Sequence, residues 1–255
     1  MSLSMDRWKG KVAIVTGASA GIGAAIVEQL VEAGLIVVAL ARRKEKIDEL
    51  AKTLENKNGK IFPIKADVSK EQDILDAFRW VKDNVGPVHI LINSAGVNRN
   101  TNLRDGDTSM WKEIMDTNVL GLCIATREAI KDMRANNVDG HIVHLNSIAG
   151  HKVPHFPQVN VYPASKHAVT ALTETLRQEL NSIGSKIKIT SISPGVVKTE
   201  FRKAAGLLEN NPENAYENYP HLVATDVADA IMYVLSTPPH VQVHELMIKP
   251  IGESM

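Results

Sequence analysis

Tyr162 and Lys166 stand four residues apart in the stretch Tyr-Pro-Ala-Ser-Lys. On a helix that spacing is a little over one turn. A phenol and an ammonium then share one face, separated by about 6 Å of axial rise. A free tyrosine titrates near pH ~10 and is a poor proton donor or acceptor at neutrality. A lysine cation nearby favours the phenolate and moves the pair towards general acid–base work. Such pairs also arise by chance on solvated helix faces, so the chemistry needs support from elsewhere in the chain. Pro163 adds a constraint, because proline suits a helix only in its first turn; Tyr162 is therefore expected at the helix start.

Support comes first from the glycine cluster Thr16-Gly17-Ala18-Ser19-Ala20-Gly21-Ile22-Gly23, between an apolar β-rich run and a helical pattern. Glycines there permit a tight turn and close approach of backbone N–H groups to phosphate. The helix N-terminus adds a positive dipole end. The spacing is Gly-x-x-x-Gly-x-Gly rather than the commoner Gly-x-Gly-x-x-Gly. A turn that merely lets the helix pack on the strand is the structural alternative, and the next strand argues against it. In a nucleotide-binding βαβ unit, the end of the second strand reads the adenosine ribose. An acidic residue binds the 2′-hydroxyl, whereas arginine accommodates a 2′-phosphate. Here the strand ends Leu40-Ala41-Arg42-Arg43, with no acidic residue before Glu45. Arginine grips phosphate bidentately, so the expected cofactor is NADP(H) rather than NAD(H). The alternative, that both arginines simply open a charged helix, stays open for Arg43.

The elements that must position these groups follow from periodicity. Strands are predicted over 12–16, 35–41, 61–65, 88–93, 141–146, 187–193 and 241–248. Helices are predicted over 22–33, 44–57, 70–85, 109–136, 162–182 and 225–236. Nearly continuous apolar strands, each followed by a helix, imply a parallel sheet covered on both faces. The expected fold is one doubly wound, Rossmann-type α/β domain over residues 5–255, with about seven strands. Met1-Ser2-Leu3-Ser4, ahead of a second methionine, reads as a cloning remnant outside it. Segments 147–161 and 194–224 break the rhythm at strand ends, where ligands bind in such sheets. The second is too long for an ordinary connection and reads as a substrate-binding lid. Phe201, Leu207, Leu208, Tyr216 and Tyr219 make it apolar and aromatic, suited to covering an apolar substrate or to packing on itself.

Composition excludes several classes. The 255 residues hold 29 basic and 29 acidic side chains, which gives no support for nucleic-acid or anionic-membrane binding. No apolar run approaches the roughly 20 residues of a membrane-spanning helix, and the N-terminus lacks a secretory apolar core. Cys123 is the single cysteine and reads as a buried bystander; with no internal disulfide, a reducing, cytoplasmic setting is expected. Among nine histidines, His141 and His144 lie three apart on a strand and so face opposite sides, and His240 with His244 lacks a third ligand. No metal is expected. His151 and His155 are candidates to face substrate, while Trp8, Trp80 and Trp111 read as packing residues.

Taken together, the glycine loop, Asp67-Val68, Asn93-Ser94-Ala95-Gly96, Asn118, Ser147, Tyr162-x-x-x-Lys166 and Pro194-Gly195 resemble the short-chain dehydrogenase/reductases in order and spacing. The resemblance covers residues 8–250. It implies that Tyr162 is the catalytic acid/base and that Lys166 is its partner, also holding the nicotinamide ribose. It implies that Ser147 binds the substrate oxygen and that Asn118 positions a water linking the lysine to solvent. Gly17, Ser19, Gly21, Ile22 and Gly23 match the phosphate loop, and Asp67 and Val68 the adenine contacts. Asn93, Ala95 and Gly96 match the cofactor's path; Pro194, Gly195, Val197 and Thr199 match the nicotinamide end. A finer match, carried by segments 169–174, 193–197 and 234–238, is to the subgroup of insect farnesol dehydrogenases and vertebrate keto-reductases.

Three positions depart from the family pattern. Ser94 replaces a second asparagine, which should weaken a supporting hydrogen bond. Ala20 stands where some NADP-specific members carry a basic residue, leaving phosphate recognition to Arg42, Arg43 and Ser19. The ending His244–Pro250 replaces Asp-Gly-Gly and puts the usual tetramer in doubt. The resulting expectation is an NADP(H)-dependent oxidoreductase interconverting a hydrophobic alcohol and carbonyl, as a homodimer or homotetramer. A non-catalytic NADPH-binding sensor on the same fold is the competing class, against which intact Ser147, Tyr162 and Lys166 argue.

Overall fold

The strands alternate their side chains between two apolar layers, which explains why they read as unbroken hydrophobic runs. In β1 (Val12–Thr16), Ala13 and Val15 pack with Ile26 and Leu30 of α1 (Gly21–Glu32) and with Val227 and Ile231 of α8 (Ala224–Ser236). Val12 and Ile14 face the opposite layer, with Ile74 and Phe78 of α3 (Glu71–Asn84) and Met133 of α5 (Leu122–Ala135). Burial on both faces is the expected state of a parallel sheet.

The remaining strands of the main sheet are β2 (Ile36–Ala41), β3 (Lys60–Lys65), β4 (Val88–Asn93), β5 (His141–Leu145), β6 (Lys188–Pro194) and β9 (Glu245–Ile248). In this computed structural model, which describes residues 3–155, 159–207 and 219–253, they pair in parallel in the order β3-β2-β1-β4-β5-β6-β9. The chain runs from β1 outward to β3 and then returns to the other side of β1 at β4. A crevice therefore opens between the carboxyl ends of β1 and β4, the topological switch point where doubly wound sheets bind ligands. Helices α2 (Lys44–Thr53) and α6 (Tyr162–Ser182) complete the layers. Among the described residues no helix is long and apolar enough to cross a membrane.

Two boundaries differ from the periodicity for identifiable reasons. The helix expected over 109–136 is α4 (Thr108–Met115), a π-helical turn over Asp116–Gly121, and α5. A π turn widens the helix by one residue per turn. It lies where Asn118 is engaged by two other segments and where Gly121 meets the Val68 carbonyl; a Cβ there would stand 2.3 Å from that oxygen. The last strand begins at Glu245 rather than 241 because side chains occupy the preceding carbonyls. Lys188 Nζ donates to the Val241 carbonyl at 2.8 Å, and Thr190 Oγ1 to that of Val243 at 2.6 Å.

The segment after β6 is pinned at both ends by a second, two-stranded parallel ladder, β7 (Val197–Lys198) with β8 (Leu222–Val223). Between them, a short helix α7 (Phe201–Ala204) lies over the crevice. Leu208 and Tyr216, named above as lid residues, lie outside the described residues.

Candidate active site

A cleft of about 850 Å³ occupies the carboxyl edge of the sheet. At one end, α1 begins at Gly21 with Ala20 at its N-cap. Ala20 provides no side-chain cap, and the first turn holds no acidic residue. The first N–H groups of a helix have no partner within it, so this end presents donors and a positive dipole towards the cleft. Gly17 has φ +69°, and a Cβ there would lie 2.7 Å from Ala95 Cα, so the turn and the loop after β4 touch backbone to backbone. This cradle fits a pyrophosphate. Ser19, Arg42 and Arg43 border it, with Arg43 Nη2 donating to Ser19 Oγ at 3.4 Å. Asp67 and Val68 line the adjoining wall; hydrogen bonds from Ser69 help hold the Asp67 carboxyl below its usual range despite its burial.

At the other end stand Ser147, Tyr162 and Lys166. Ser147 follows β5 in extended conformation, and its Oγ accepts the Ala149 N–H at 3.1 Å, which fixes its rotamer. The Ser147 and Tyr162 side chains both line the cleft here, close enough for the serine to favour the ionised phenol. Tyr162 is the first residue of α6, with Pro163 in the first turn as the sequence requires. Lys166 lies one turn on and is buried; its Nζ donates to the Leu145 carbonyl at 2.9 Å and lies 5.9 Å from the Tyr162 ring centroid. Asn118 is buried beneath them. Its Oδ1 accepts the Val97 N–H at 2.8 Å, and its Nδ2 donates to the Val97 carbonyl at 2.9 Å and to Ser165 Oγ at 3.1 Å. That side chain clamps the loop after β4 to α6.

The electrostatics differ from what the Tyr–Lys spacing suggests. Burial pushes the Tyr162 phenol up to about 12, with the Ser147 hydrogen bond acting against it. Burial also pulls Lys166 down to about 8. At Tyr162, loss of water therefore outweighs the lysine's pull on the phenol. A raised tyrosine pKa favours the protonated form, so Tyr162 is held as a proton donor at neutrality. Absorbance titration of wild type minus Tyr162→Phe should show no phenolate signal from this residue below pH ~10; ionisation near pH 7 in the free protein would contradict this.

Of the sequence candidates, Gly17, Ser19, Gly21, Ile22, Gly23, Ala95 and Gly96 border the cleft, as do Pro194, Gly195, Val197 and Thr199. Asn93 and Asn118 do not. Asn93 is buried one layer below, donating to Thr126 Oγ1 at 2.9 Å. His151 Nε2 lies 2.9 Å from Ser193 Oγ, and His155 is exposed; neither lines the cleft. His141 and His144 are buried against threonine hydroxyls, and burial pulls each down to about 3.

One contributor lies outside the motifs. Asn160, at φ +49°, accepts the Tyr162 N–H through Oδ1 at 2.9 Å and donates through Nδ2 to Asn98 Oδ1 and to the Arg99 carbonyl. It locks the start of α6 against the loop after β4. The signal was present: asparagine tolerates left-handed backbone and bonds the main chain two residues on. Phe201, one of the apolar residues expected to cover a substrate, has its ring 5.8 Å from that of Tyr162.

A family model described as short chain dehydrogenase matches residues 11–209. The chain belongs to the short-chain dehydrogenase family. Farnesol dehydrogenase of Aedes aegypti is 53% identical over 252 residues, covering 98% of this chain and 99% of that protein. Dehydrogenase/reductase SDR family member 11 of Bos taurus is 48% identical over 252 residues, covering 96% and 98%. Among solved structures, the closed form of serine dehydrogenase complexed with NADP+ superposes with a TM-score of 0.86 at 30% identity, covering 96% of each chain. A short-chain dehydrogenase/reductase from Burkholderia phymatum in complex with NAD does so with a TM-score of 0.84 at 26% identity, covering 94% of this chain and 89% of that one. As a short-chain dehydrogenase the chain is an oxidoreductase, and both kinds of nicotinamide dinucleotide occur among its structural relatives.

Proposed function

We propose that this short-chain dehydrogenase uses NADP(H) to interconvert an alcohol and a carbonyl on a hydrophobic substrate. The observation that carries the reading is one cleft with an uncapped helix N-terminus and Arg42–Arg43 at one end and the Ser147 and Tyr162 side chains at the other. The bound nicotinamide supplies hydride to a carbonyl carbon or accepts it from an alcohol. In reduction, the Ser147 and Tyr162 hydroxyls bind the carbonyl oxygen, where negative charge develops, and Tyr162 donates its phenolic proton to it. In oxidation, Tyr162 must first lose its proton. Lys166, buried a turn away, supplies the nearby positive charge that favours the phenolate, and Asn118 and Asn160 hold α6 in place. Pro154, Val159, Phe201, Ala205 and Leu207 give the substrate end an apolar wall. That wall and the Aedes relative's named substrate both favour a farnesol-like alcohol, a steroid or a small ketone.

Steady-state kinetics with farnesol, secondary alcohols, hydroxysteroids and serine test this reading. Turnover confined to serine or sugars would remove the hydrophobic-substrate proposal. For the cofactor, Arg42→Ala and Arg43→Ala are each expected to weaken NADPH binding about 10- to 100-fold, the worth of a charge-assisted hydrogen bond, and NADH binding hardly at all. Equal losses for both cofactors in a fluorescence titration would mean that the arginines do not read the phosphate.

A further inference from the structure

Glu200 stands between Thr199 and Phe201 in the turn that opens α7. Its carboxylate reaches back to the second βα unit. Oε2 accepts from Arg43 Nη1 at 3.1 Å, and Oε1 lies 3.5 Å from Lys46 Nζ. The Arg43 hydrogen bond holds the carboxyl below its usual range, so it is ionised at neutrality. Arg42 is engaged more loosely. It lies 3.8 Å from Glu113, a carboxylate already gripped by both Nε and Nη2 of Arg99. The tighter acidic competitor is thus at Arg43, the arginine that also bonds Ser19 on the glycine loop.

We propose that Glu200 determines cofactor specificity by occupying Arg43 and Lys46 in the free protein, so that a 2′-phosphate binds only by displacing it. The inference rests on the NADP(H) reading above and adds a residue that acts against the phosphate rather than for it. A phosphate monoester brings nearly two charges and three acceptor oxygens against the carboxylate's one charge and two oxygens. The side chains of Glu200, Arg43 and Lys46 are 52%, 47% and 41% exposed, so the ion pairs are weak and exchangeable. An adenosine without the 2′-phosphate offers Arg43 only neutral groups in exchange for a carboxylate. Thr199 lies over the glycine loop, where a Cβ on Gly21 would stand 3.1 Å from its Cγ2, and Phe201 rests against Tyr162. Glu200 therefore sits in a turn that touches both ends of the cleft.

Calorimetric titration of wild type, E200Q and E200K with 2′,5′-ADP and with 5′-AMP tests the competition without any turnover. E200Q should bind 2′,5′-ADP about two- to fivefold more tightly, the worth of exposed ion pairs, and E200K more tightly still, with 5′-AMP unchanged in all three. Unchanged or weaker 2′,5′-ADP binding by both variants would overturn the proposal. Equal gains for 5′-AMP would overturn it too, since they would mark a loosened lid rather than a phosphate competitor. A wild type that prefers 2′,5′-ADP with no gain in either variant would sink the role of Glu200 and leave the cofactor reading standing. A wild type without preference, in which E200Q and E200K acquire one, would do the reverse.

Discussion

Tyr162→Phe is expected to lower turnover by about 10²- to 10⁴-fold in both directions while leaving cofactor affinity within about twofold. Among the described residues, the phenol is the acidic group that the geometry offers as proton donor at the substrate end. Ser147 lines the same end of the cleft and can polarise a carbonyl, but a serine hydroxyl is too weak an acid to release its proton there. The ring itself packs against Phe201 and is retained in the variant, so α7 and the start of α6 keep their contacts. Pre-steady-state hydride transfer, with cofactor affinity from fluorescence, measures both quantities. Retention of turnover in the variant would exclude Tyr162 as the acid. A wild type that binds NADPH yet transfers hydride to no carbonyl would instead favour the non-catalytic class.

Gly17→Ala carries the second large effect. At φ +69° a side chain costs about 1–2 kcal/mol, and the added Cβ would stand 2.7 Å from Ala95 Cα, a backbone atom that cannot swing away. Overpacking adds about 1–3 kcal/mol, for a total of roughly 2–5 kcal/mol. For a chain of this length that corresponds to a melting temperature lower by about 5–15 °C. Cofactor affinity should fall at least about tenfold, because the strain is relieved only by moving the phosphate loop from the β4 loop. Gly10→Ala is the control: its φ is +70°, but nothing lies within 4 Å of the added Cβ. It should cost only about 1–2 kcal/mol and leave cofactor binding intact. Equal effects of the two substitutions on binding would mean that the Gly17–Ala95 contact does not shape the site.

The periodicity of the chain was enough to place the seven strands of the main sheet and the helices that cover them, since burial on both faces leaves an unmistakable apolar run. Local chemistry was enough for the first turn of α6, because proline tolerates little else. The π turn at Asp116–Gly121 was not legible: its apolar spacing passes for an ordinary helix, and the distortion coincides with contacts to Val97, Ser165 and Val68. The electrostatic state of Tyr162 is illegible for a related reason. Spacing reports which charges are near, whereas the size of the pKa shift depends on how much water the fold removes.

By itself the sequence determined the doubly wound sheet and pointed to Ser147, Tyr162 and Lys166 as the residues proposed to react, because each depends on residue type and on short-range order along the chain. The tertiary structure alone decided how those residues are held and opposed. Asn160 is locked to the loop after β4, Phe201 rests on Tyr162, and Glu200 sits on Arg43. Each of these contacts joins residues distant in sequence, and no periodicity encodes which side chains a closed chain brings face to face.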